Sequence, residues 1–180
     1  MKNKFCQSAM AIALGLFATG SVYAATQGSL GATSTGTLNI TATVNNLVQI
    51  TNLNDIDLGT FTGTGNLTGN DTLCIYRNGS GTYQITATGS GTGSAFTVTD
   101  GSNTLPYTVD YTSDLLGTPT TTTMSTGSAL TGQAGVDSAS TTCAGGGDNA
   151  QVDITISNAD LTSAPAGAYS GTLTLVVAPE

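Results

Sequence analysis

The chain has 180 residues, with 11 acidic side chains, three basic ones, no histidine and a net charge of −8. Lys2 and Lys4 stand at the very start, so Arg77 is the single cation of the remainder; such a chain cannot neutralise a row of phosphates, which argues against nucleic acid or anionic lipid as partner. Lack of histidine removes Ser/His/Asp and Cys/His arrangements, and lack of lysine past residue 4 removes Schiff-base and Ser–Lys chemistry.

Residues 1–4 form a basic n-region, residues 9–17 an apolar h-region, and Ser21-Val22-Tyr23-Ala24 a peptidase-type ending. This pattern predicts a signal peptide over residues 1–24, with Ala25 as the first mature residue. Its apolar run is too short to span a bilayer, no later segment is long and apolar enough to be an anchor, and Cys6 leaves with the leader. Loss of Lys2 and Lys4 takes the net charge from −8 to −10. The expected product is an exported soluble protein with one domain, residues 45–180, behind a flexible extension, residues 25–44.

Residues 27–36 of that extension are Gly, Ser and Thr-rich, too polar to pack alone. Residues 37–44 then alternate, with Leu38, Ile40, Ala42 and Val44 on one face of an extended strand and Thr37, Asn39, Thr41 and Thr43 on the other. Such a strand must pair with an edge. Two placements are open: the first strand of a complete sandwich, paired in cis, or a strand given to another molecule.

The rest reads as strands, without a sustained helical stripe. Residues 47–50 and 56–61 alternate briefly. Residues 72–76 and 83–87 flank Asn78-Gly79-Ser80-Gly81, a hairpin signal, and residues 96–99 and 105–111 flank Asp100-Gly101, a second one. Pro106 belongs at an edge or a strand start, because it cannot donate to a ladder. Residues 113–147 are rich in Gly and Thr and suggest one weak strand near 124–130 within long loops. Residues 152–156 resume the alternation. The last strand is predicted over residues 169–177, with Tyr169, Leu173, Leu175 and Val177 on one face. The chain stops there, one strand short of a closed sandwich, and an unprotected edge of this kind suits assembly by strand addition.

Cys74 and Cys143 remain after the leader. An even pair in an oxidising compartment reads first as a disulfide; a thiol nucleophile would need a basic partner to lower its pKa.

The ordered set resembles the chaperone–usher pilus subunits, in particular the archaic branch that includes spore coat protein U-like domains. Residues 36–44 are similar to the N-terminal donor strand of those subunits and of the colonisation-factor pilins. Leu58-Gly59-Thr60-Phe61 resembles their early hydrophobic-Gly-Thr-aromatic motif, and residues 164–173 resemble the Pro-x-Gly-x-Tyr entry to their last strand. The chain departs from the family at residues 45–48, where many spore coat U-like domains carry a cysteine, and at Pro179, where pilins of the best-known branch have an aromatic.

The resemblance implies an all-β, Ig-like sandwich that lacks its final strand and is completed by a donor strand from a neighbouring subunit. It implies a structural subunit of a surface pilus, exported through the periplasm, with identical or related subunits, a periplasmic chaperone and an outer-membrane usher as partners. Leu38, Ile40, Ala42 and Val44 would be the donor plugs, and Tyr169, Leu173, Leu175 and Val177 the acceptor edge. No catalytic residue, metal ligand, cofactor or membrane anchor is expected. The other reading is a stand-alone secreted sandwich that binds carbohydrate or ice, with Thr41-Ala42-Thr43 and Thr86-Ala87-Thr88 as local matches to an ice-binding array. Carboxylate pairs such as Asp55/Asp57 and Asp110/Asp114 could cleave glycosides, but the chain has no tryptophan and few aromatics to hold a sugar. The acidic turns at Asp100 and Asp148 fall short of a calcium loop's ligand density.

Overall fold

A computed structural model describes residues 24–180, in two compact units that divide between Val44 and Asn45. The signal-peptide expectation, Ala24 aside, lies outside the described residues. In the first unit Thr26 and Thr37 form an isolated antiparallel bridge, each N–H donating to the other's carbonyl at 2.9 and 3.1 Å. Residues 38–47 form no strand. Leu38, Ile40 and Val44 are 71, 88 and 83% exposed, and Ala42 is exposed as well. An alternating segment becomes a strand only where its N–H and C=O groups find a ladder.

The second unit is nearly all β. Its strands are β1 (Val48–Thr51), β2 (Leu67–Arg77), β3 (Tyr83–Gly89), β4 (Thr97–Thr99), β5 (Thr104–Pro106), β6 (Thr108–Ser113), β7 (Thr120–Thr123), β8 (Ala129–Gln133), β9 (Ala150–Ile156) and β10 (Leu173–Pro179). A five-stranded sheet runs β1-β2-β9-β6-β7 and a three-stranded sheet runs β10-β3-β8, while β4 and β5 pair by themselves. All these pairings are antiparallel.

The period of two explains the core between the sheets. Leu73 and Ile75 of β2, Val109 and Tyr111 of β6, and Val152 and Ile154 of β9 face Tyr83, Ile85 and Ala87 of β3. One hydrogen bond joins the layers at their centre, between the hydroxyls of Tyr83 and Tyr111 at 2.6 Å. The architecture is the antiparallel sandwich expected from the strand pattern.

The Cys74–Cys143 disulfide is formed, with Cα atoms 5.7 Å apart, and ties β2 to the loop before β9. Beside it Asn149 stands in for a missing ladder rung. Its Oδ1 accepts from the Ile75 N–H at 2.8 Å and its Nδ2 donates to the Ile75 carbonyl at 2.9 Å. Asn149 is buried and the Ile75 carbonyl also accepts from the Asp137 N–H at 2.9 Å, so Asn149→Ala would strand the Ile75 N–H, at a cost of about 1–3 kcal/mol. Urea unfolding checks this; a loss under about 1 kcal/mol would mean that another group replaces the amide.

Several local expectations are corrected. Asn78-Gly79-Ser80-Gly81 is a turn but not a hairpin: β2 pairs with β1 and β9, and β3 with β10 and β8. The turn carries the chain from one sheet to the other. Asp100-Gly101 does close a hairpin, between β4 and β5. Its Asp100 carboxylate accepts from the N–H groups of Ser102 and Asn103 at 2.8 and 2.6 Å and from the Asn103 amide at 2.9 Å. These bonds, the Asn103 side chain first, hold the Asp100 carboxyl below the usual carboxylate range. Residues 113–147 hold two strands, β7 and β8, and the buried Met124 lies between them. Residues 56–61 form no strand. The last strand starts at Leu173, which leaves Tyr169 outside it. One short helix, α1 (Asn158–Ser163), is present, capped by the Ser157 hydroxyl, which accepts from the Asp160 N–H at 3.2 Å. None of the described helices is long and apolar enough to cross a membrane.

Candidate functional site

β10 has a single ladder neighbour, β3, with Leu173 opposite Gly89 and Pro179 opposite Tyr83. Its other edge is unpaired. Leu173, Leu175 and Val177 point inward but are only half-buried, whereas the equivalent positions of β3 and β9 are fully covered. Thr174 and Val176 face outward and are exposed.

The approach to β10 is held in place by neighbours from β4 and the segment after β3. Ser170 and Thr99 exchange main-chain hydrogen bonds at 2.9 and 3.0 Å, and the Thr172 N–H donates to Ser90 Oγ at 3.0 Å. Gly171 lies so close that a Cβ would come within 2.9 Å of the Thr97 carbonyl oxygen and 3.1 Å of Ser90 Oγ. Upstream, the Tyr169 hydroxyl donates to the Pro165 carbonyl at 2.9 Å, pinning the corner that leads into the strand.

Across from this edge runs the stretch after β1. Asp71 on β2 accepts from the Asn54 N–H at 2.8 Å and the Asn54 amide at 3.1 Å, drawing the stretch over the sheet. Ile56 and Leu58 then lie on Gly69, where a Cβ would sit 2.6 and 2.8 Å from their methyl groups. That contact explains a glycine inside an 11-residue strand.

Between the two walls opens a cavity of about 330 Å³. Leu53, Ile56 and Leu58 form one wall, and Gly171, Leu173 and Leu175 the other. Its floor is Leu73, Val152 and Ile154 of the larger sheet, with Val98 and Tyr107 nearby. Tyr107 stacks on Phe96 with ring centroids 5.6 Å apart, and burial raises its phenol pKa. Asn54, Asp55 and Asp71 are polar members of the rim. β1 itself, the edge strand of the larger sheet, lies against β10 farther along.

The cleft is thus lined mainly by apolar side chains and lies beside the unpaired edge of β10. Among the described residues there is no cluster of three or more His, Cys, Asp or Glu side chains placed to hold a metal ion. Of the expected edge residues, Leu173 and Leu175 line the cavity, while Val177 lies farther along β10 and Tyr169 turns to Pro165. The expected donor residues Leu38, Ile40, Ala42 and Val44 belong to the other unit. Sequence reasoning missed the opposite wall, although the alternation of Ile56 and Leu58 was visible; it also missed Val98 and Tyr107, whose strand patterns carry no mark of a cavity.

No protein-family model matches the chain, and no curated protein matches it. Among solved structures, one described as "Chaperone-tip adhesin complex is vital for synergistic activation of CFA/I fimbriae biogenesis" is similar over 76% of this chain and 43% of its own, with 19% identity and a TM-score of 0.47. This chain therefore spans less than half of that one.

Proposed function

We propose that the domain is a structural subunit of a surface pilus and that it polymerises by accepting an extended strand along the free edge of β10. The carrying observation is the apolar cavity beside that unpaired edge, walled by Ile56, Leu58, Leu173 and Leu175. The donor is residues 37–44 of another copy. Exposed Leu38, Ile40 and Val44 offer side chains at every second position, which is the repeat a strand needs to fill the cleft. The sequence resemblance to chaperone–usher subunits supplies the route. A periplasmic chaperone lends a strand first, and an outer-membrane usher exchanges it for the next subunit's extension at the cell surface. Head-to-tail donation does not close on itself, so it makes a fibre that would serve adhesion or biofilm formation. The reading involves no catalytic step and no cofactor.

The test uses two full-length variants. Ile40→Asp spoils the donor and leaves the cleft intact; Leu175→Asp spoils the cleft and leaves the donor intact. Each buried aliphatic plug contributes about 1.5–3 kcal/mol, so each variant should weaken strand uptake by roughly 10- to 100-fold. Light scattering should show oligomers for the unaltered protein and none for either variant alone. A mixture of the two should stop at one-to-one pairs, because only one good donor meets one good cleft. A protein that stays monomeric and ignores an added peptide of residues 36–46 would sink the proposal.

A further inference from the structure

Arg77 is the one cationic side chain among the described residues, and it is 4% exposed. It continues the inward face of β2 after Leu73 and Ile75 and so points between the two sheets. A guanidinium in that position would ordinarily be paired with a carboxylate. Its two hydrogen bonds go to main-chain oxygens. Nη1 donates to the Ser80 carbonyl at 2.6 Å, and Nη2 donates to the main-chain oxygen of Glu180 at 2.8 Å. Nε is buried without a partner.

The surroundings are shaped for this group. A Cβ on Gly81 would fall 2.4 Å from Nη1 and 2.7 Å from the guanidinium carbon, so the turn between β2 and β3 lies directly on the guanidinium. Glu180 is held from two further directions. Its N–H donates to the Thr82 carbonyl at 3.0 Å, and its side-chain Oε2 accepts from the Gly132 N–H of β8 at 2.8 Å. The residue after β10 is thus tied to β8, to the start of β3 and, through Arg77, to β2 of the opposite sheet.

β10 needs such an anchor. It has a ladder on one side only, and its inward side chains are half-buried beside a cavity. Strands with few buried contacts and one row of hydrogen bonds open locally before the rest of a domain does. We infer that Arg77 is a positioning residue for the acceptor edge: by donating across the core to the main chain at Glu180, it keeps β10 extended while the cleft is empty. A strand arriving in the cleft then meets a formed edge and need not order it. The second row of hydrogen bonds it brings makes the anchor redundant once the cleft is filled. This inference rests on the reading of the cleft as a strand acceptor.

Hydrogen exchange on the full chain carrying Ile40→Asp, which keeps neighbouring copies from filling the cleft, tests it with and without a synthetic peptide of residues 36–46. In Arg77→Met with the cleft empty, the amides of Val176 and Ala178, which face β3, should exchange on the order of tenfold faster, while Ile85 and Val152 change little. With peptide bound, the same amides should return to unaltered protection. The peptide on-rate should fall roughly fivefold and its off-rate stay nearly constant, because the cost is paid before docking. Arg77→Lys, which keeps the charge but has no fork to reach two carbonyls, should show the same pattern more weakly and carries the measurement if the Met variant does not fold. Unchanged β10 exchange in the empty protein, or faster exchange spread evenly over both sheets with and without peptide, would overturn the inference. If the unaltered protein takes up no peptide, the reading of the cleft fails, while β10 exchange in the empty protein still decides whether Arg77 holds that edge.

Discussion

Removal of the Cys74–Cys143 bond is expected to destabilise the domain by about 4 kcal/mol. The cysteines are 69 residues apart in sequence, and releasing a loop of that length returns a large conformational entropy to the unfolded chain. The bond also fastens a long loop to β2. Residues 134–149 contain no strand and include Gly145, Gly146 and Gly147, and Cys143 itself has a φ of 51°. The loop's other ties are the main-chain bonds of Asp137 to Ile75 and Arg77 at 2.9 and 3.0 Å, the buried Asn149, and exposed polar contacts: Thr51 Oγ1 donates to the Thr141 carbonyl at 2.7 Å, and the Asn52 amide donates to Asp148 Oδ1 at 2.7 Å. Against a typical domain stability of about 5–15 kcal/mol, a loss of that size is a large part of the whole. Urea unfolding of the double Cys→Ala variant, set beside the oxidised protein, measures it. A difference under about 1 kcal/mol would show that the unfolded chain does not gain the entropy assigned to it. The same dependence makes an oxidising environment favour the folded state.

The second large effect lies at the centre of the core, in the Tyr83–Tyr111 pair. Both rings are fully buried and their hydroxyls are 2.6 Å apart. Burial pushes the Tyr83 phenol up to about 12, and it pushes Tyr111 up as well. An exposed tyrosine in the unfolded chain ionises near pH 10. The fold therefore favours the neutral phenols, and their contribution is whole below pH 10. As pH rises through 10 toward 12 the unfolded state releases protons that the folded state still keeps. Stability should then fall by up to about 1.4 kcal/mol per pH unit for each of the two groups. Tyr83→Phe or Tyr111→Phe leaves the other hydroxyl buried without a partner and should cost about 1–3 kcal/mol at neutral pH. The double variant removes both hydroxyls and should cost less than the sum of the singles. It should also flatten the alkaline loss, as followed by urea midpoints from pH 9 to pH 11.5. Additive single effects with an unchanged alkaline slope would refute this account of the pair.

These two features differ in how visible they were. The disulfide follows from counting the cysteines left after the expected leader, because pairing two thiols requires no knowledge of the fold beyond its being able to bring them together. The tyrosine pair does not, since Tyr83 and Tyr111 lie in different sheets and nothing local says that they meet. Arg77 stands between these cases. It shares its parity with Leu73 and Ile75, so its inward direction could have been read from the alternation, yet a charge on a turn-flanking position reads as surface. Only the crossing of the Ser80 turn and the main chain at Glu180 supplies the acceptor oxygens that make its burial tolerable.

The misread hairpin has the same origin. Glycines at 79 and 81 have φ of 73° and 147° and do form a turn, but a turn bends the chain without stating which sheet receives the next strand. Periodicity reports which side of a strand faces the core, not its partner. In residues 113–147 the pattern failed outright: β7 is four threonines, which have strand propensity and no apolar face, and it is recruited by the register of β6, with Thr121 opposite Thr112 and Thr123 opposite Asp110.

By itself the sequence determined that this is an acidic, histidine-free, all-β domain with a disulfide, an alternating segment ahead of it and an apolar strand near residue 175, because composition, parity and turn residues act locally. The last strand was also read there as the free edge, but what stands across from it was decided by tertiary structure alone. Sheet order assigns β10 a neighbour on one side only, and the draw of Asp71 on Asn54 brings Ile56 and Leu58 over Gly69. The cleft exists in the gap between those two long-range placements, and no run of neighbouring residues encodes a gap.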